Sequence, residues 1–131
     1  MSYQDDASPD AIRKLADAAL AALPAQFRER LGDIVMQVEE FADAETLAAM
    51  GINSKWGLVG LYRGHPTTHQ SVWVGGTMPP RIFLYRQPLL ARQRRTGASL
   101  EEVVNHLVVH EVGHHFGLSD DTMHTLEDSA D

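Results

Sequence analysis

The chain has 131 residues, no cysteine and a formal net charge of −7. That length suits one domain with a core of its own, residues 1–131, and the composition excludes disulfides, cysteine-ligated zinc and thiol catalysis. The acidic balance argues against a nucleic-acid partner and against an anionic membrane surface.

The first residues lack the basic patch and apolar run of a secretory signal, and no stretch approaches a membrane span, so a cytoplasmic protein is expected. The acid-rich ends, residues 1–8 and 125–131, are expected to fray. Pro9 and Asp10 suit a helix start, and Ile12, Leu15, Ala16, Ala19, Leu20 and Leu23 recur at helical spacing until Pro24 stops them. Phe27 and Leu31 suggest a further short turn of helix. Residues 34–39 read as a strand and residues 43–50 as a short helix ended by Gly51.

Residues 57–62, 71–74 and 81–86 read as three more strands, separated by glycine and proline punctuation. Arg86, Arg92, Arg94 and Arg95 then form a basic stretch, expected as a solvated loop with a carboxylate-binding role as the alternative. The last helix is the clearest. Ser99 and Glu102 make a capping box, and Leu100, Val103, Val104, Leu107 and Val108 build its apolar side. The order predicts an α+β fold with helices packed against one sheet.

That helix carries HExxHxxGxxD, with His110, Glu111, His114, Gly117 and Asp120 at the fixed places. Residues four apart share a helix face, so His110 and His114 can hold one metal ion. Glu111 stands beside the first ligand, where it can act as general base on a metal-bound water. Its neighbours Val108, Val109 and Val112 are apolar, so a glutamate among them needs a partner. Gly117 can end the helix in a left-handed conformation and turn the chain, which would bring Asp120 round as third ligand and leave a position for water. Two imidazoles and one carboxylate suit zinc. Asp121 and His124 are the alternatives for the third place, with a polar loop or helix cap as the plainer role of Asp120. His106 shares the face of His110 and suits either a cleft wall or a packing role, whereas His115 is rotated away and reads as a packing or surface residue.

With these residues in view, the chain resembles the minimal zincin family, small bacterial metallopeptidase-like proteins. The likeness extends over Leu23-Pro24 with Phe27, Gly57-Leu58-Val59-Gly60-Leu61-Tyr62-Arg63-Gly64, Pro80-Arg81-Ile82-Phe83-Leu84-Tyr85-Arg86 and the motif itself. It implies a compact α+β fold with a short mixed sheet and the HExxH helix as its catalytic element. It further implies His110 and His114 as the two histidine ligands, Glu111 as the catalytic glutamate and Asp120 as the third ligand. The larger metzincins have a histidine where Asp120 stands.

The expected function is hydrolysis of peptide bonds by a zinc-activated water, with Glu111 moving the proton and a peptide or protein as substrate. The alternative is a catalytically weak or inactive zincin fold that binds peptides or proteins through the same cleft. A monomer is expected. An oxyanion partner is also wanted, for which His65, Tyr62, Tyr85 and His124 are candidates.

Overall fold

The computed structural model describes residues 7–31, 34–63 and 80–116. The first helix, α1 (Pro9–Ala21), starts as proline at its first position allows, and Ser8 caps it by accepting a hydrogen bond from Ala11 N at 3.1 Å. A short helix, α2 (Ala25–Leu31), follows Pro24. Strand β1 (Val35–Glu39) leads to α3 (Ala44–Ala49), capped by the Asp43 carboxylate at 2.7 Å from Thr46 N. The Thr46 hydrogen bonds hold the Asp43 carboxyl below the usual aspartate range.

Strand β2 (Gly60–Arg63) is shorter and later than the residue 57–62 run predicts. Residues Lys55–Gly57 form a 3₁₀ turn instead, capped by Ser54 Oγ accepting from Trp56 N. Strand β3 (Arg81–Tyr85) runs directly into helix α4 (Arg86–Thr96). The basic stretch is therefore helical rather than a loop, a correction with a simple cause. Pro88 lies in the first turn of α4, where the backbone N–H groups have no partner within the helix. Arg94 and Arg95 occupy the last turn, favourable to the helix dipole, and Gly97 closes it in the left-handed conformation at φ 75°. Helix α5 (Leu100–Phe116) completes the described chain. Its capping box is formed as expected, with Glu102 N donating to Ser99 Oγ at 3.0 Å and Ser99 N to Glu102 Oε1 at 2.9 Å. The strand expected at residues 71–74 lies outside the described residues.

The three described strands form a mixed sheet in the order β1-β3-β2, with β1 parallel and β2 antiparallel to β3. Successive residues of β3 face opposite sides. Ile82 and Leu84 join Met36 in the main core against α1 and α5, while Tyr85 packs with Ala42 and Leu58 on the other side. The α+β architecture expected of a minimal zincin is thus present. Helix α5 is its centre: Val104, Val108, Val109 and Val112 are fully buried, and α1, α4 and β2 all pack on it. Each such valine contributes on the order of 1.5–3 kcal/mol of transfer free energy.

Candidate active site

Tyr62 pairs with Ile82 and Gly60 with Leu84, so both share the sheet face that meets α5. The approach is close at Gly60. A Cβ there would lie 2.8 Å from Leu107 Cδ1 and 3.0 Å from Leu107 Cγ, so only glycine lets the strand settle at this distance. The result is a long-range bond: Tyr62 N donates to Glu111 Oε1 at 2.9 Å. Glu111 is buried, and this amide answers the need for a partner that its apolar neighbours impose.

A cleft of about 310 Å³ opens beside this pair. Its walls include Val59 and Gly60 from the β2 side, Arg92 from α4, and His106, His110 and Glu111 from α5. The His106 and His110 rings stand 4.2 Å apart, tilted by 46°. His106 is therefore a wall of the cleft, the first of the two roles its spacing allowed. Position 114 follows His110 by one turn of the same continuous helix. A second cavity of about 400 Å³ continues past Arg92 and His106, which line both, towards Thr96, Ala98, Glu102 and Val103.

The oxyanion candidates divide. Tyr62 stands at the site through its amide, and burial raises its phenol pKa above the ordinary tyrosine value. Tyr85 does not reach the cleft: its position in β3 sends it to the opposite face of the sheet, buried with Ala42 and Leu58 and stacked on Phe83. His65, Asp120, Asp121 and His124 lie outside the described residues. Among the described residues no three histidine, aspartate or glutamate side chains gather about one point. Two of the donors are nonetheless of a kind that suits zinc, the His110 imidazole lining the cleft and a second histidine position one helical turn on.

A family model described as zincin-like metallopeptidase matches residues 31–130. The chain belongs to that family. The match includes the whole HExxHxxGxxD run of this zincin-like protein and strand β2, whose Gly60 lines the cleft. The chain has no match among curated proteins. No helix among the described residues of the zincin-like chain is long and apolar enough to cross a membrane. The basic stretch pointed to Arg92 as one of four arginines, but the residue pattern did not reveal its place on a cavity wall. As part of a helix it lines both cavities, whereas Arg86 is tied up elsewhere, donating to Glu40 Oε1 at 2.9 Å and to Ala7 O at 2.6 Å.

Proposed function

We propose that the protein is a zinc-dependent peptidase, with Glu111 as its general base and His110, His114 and Asp120 as the metal ligands. The observation that carries this is the buried Glu111 carboxylate, held by the Tyr62 amide in the same cleft as His110. Zinc bound by those three residues would supply a Lewis acid that polarises the scissile carbonyl and lowers the pKa of its water towards about 7. Glu111 takes the proton of the attacking water and hands it to the leaving amine. The Tyr62 amide fixes the direction of the carboxylate, so the base is oriented before substrate arrives. The proposal extends to a cytoplasmic monomer that takes peptides or proteins and no nucleic acid, the last supported by the net charge of −7.

Zinc-loaded protein incubated with a diverse peptide library, beside Glu111→Gln, tests the proposal. Cleavage by the wild type and its loss in Glu111→Gln is the expected result. Bound zinc without cleavage above that control removes the peptidase and leaves a peptide-binding zincin fold.

A further inference from the structure

Arg92 stands where the two cavities meet, sharing that place with His106. Its side chain belongs to a residue only partly exposed, on the helix α4 that the central strand runs into. Among the described residues the ion pairs involve Arg13, Lys14 and Arg86, and none involves Arg92. The other charged wall of the second cavity is Glu102, whose Oε1 is already engaged by Ser99 N at the start of α5. A guanidinium half-withdrawn from water gains most from a carboxylate, which its planar fork can hold through two parallel hydrogen bonds.

We propose that Arg92 is a specificity-determining residue that binds a carboxylate of the substrate peptide, either its C-terminal group or an acidic side chain. The proposal rests on the peptidase assignment for its substrate and deepens it. Position keeps the recognised group near the chemistry. Arg92 lines the same cleft as His110 and Glu111, so the carboxylate belongs within a few residues of the bond to be cleaved. Arg94 and Arg95 are exposed in the last turn of the same helix and line neither cavity, so they serve as internal controls.

Binding is measured by calorimetry in the zinc-loaded Glu111→Gln protein, with three otherwise identical peptides. One has a free C-terminus, one is amidated, and one is amidated with a glutamate placed near the end. One or both acidic peptides should bind about tenfold more tightly than the neutral one, and whichever does so names the source of the carboxylate. Arg92→Gln should abolish that preference, Arg92→Lys should keep part of it, and Arg95→Gln should leave it intact. A preference that survives Arg92→Gln belongs to the metal or another group and overturns the proposal, as does the absence of any preference or of any binding. Circular dichroism of each variant separates loss of recognition from loss of fold. Because binding is read without turnover, an Arg92-dependent preference stands even if the wild type proves unable to cleave.

Discussion

The backbone N–H of Tyr62 lies 2.9 Å from Oε1 of Glu111, a bond that spans 49 positions of sequence and ties strand β2 to helix α5. A side chain normally read as chemical is here also a structural joint. The two duties respond differently to substitution. Glu111→Gln keeps a carbonyl acceptor for the amide and should change stability by less than about 1 kcal/mol, whereas Glu111→Leu leaves the amide unpaired at a cost of about 1–3 kcal/mol. Denaturant midpoints distinguish them. Peptidase activity should fall about 10²–10⁴-fold in both, the range expected for loss of a general base.

Gly60 is expected to resist enlargement. Gly60→Ala forces its new methyl onto Leu107 and should destabilise the fold by about 1–3 kcal/mol. Leu107→Ala should recover part of that loss, so that the double variant is more stable than the two single effects sum to. Strict additivity in a thermal or denaturant cycle would show that the strand does not rest on Leu107.

Gly97 poses the opposite case, with open space around it but a left-handed backbone. Gly97→Ala should cost about 1–2 kcal/mol from conformation alone, without any steric clash. Equilibrium unfolding of Gly97→Ala beside Gly97→Asn measures this, with asparagine expected to be the milder change.

The two tyrosines in the described fold should ionise late. Burial raises the pKa of Tyr62, and burial first, then the nearby Glu39 and Asp43 carboxylates, raises that of Tyr85 against an opposing effect of Arg63. A phenol with a raised folded pKa contributes stability that is fully present below the unfolded value of about 10 and is lost as pH rises through the folded pKa. Phenolate absorbance during alkaline titration should therefore lag behind free tyrosine, and Tyr85→Phe should lessen the alkaline loss of stability. Normal titration of both phenols would contradict the burial seen here.

Metal binding has its own test. Protein dialysed at about pH 7.5 with limiting zinc should hold about one ion per chain, with affinity falling as pH drops through about 6 to 5 because protonated imidazoles cannot coordinate. His114→Ala should hold essentially none. Undiminished affinity in Asp120→Ala would pass the third position to Asp121, His124 or water.

Much of this architecture is written in local pattern. The Ser99–Glu102 box, the Pro9 start of α1 and the apolar side of α5 are all decided by residues within a turn of one another, and each is found where periodicity places it. The need of Glu111 for a partner was equally legible from its valine neighbours. The identity of that partner was not, because Tyr62 is brought there by sheet register and by the missing side chain at Gly60. Helix α4 escaped for a different reason: Pro88 and the arginines suggest an interruption, and only their places in the first and last turns reconcile them with a helix. With α4 misread as a loop, Arg92 could not be assigned to any wall.

The burial of Val108, Val109 and Val112 around His110 and Glu111 has a consequence for motion. A segment so enclosed can exchange its amide hydrogens only through the rarest, near-global openings, while peripheral segments open more often. His110 and the proposed base Glu111 are thus carried by what should be the slowest-exchanging part of the molecule. Any adaptation of the proposed cleft to different peptides then falls to α4, which reaches it through Arg92 and can vary without unseating the groups at the centre.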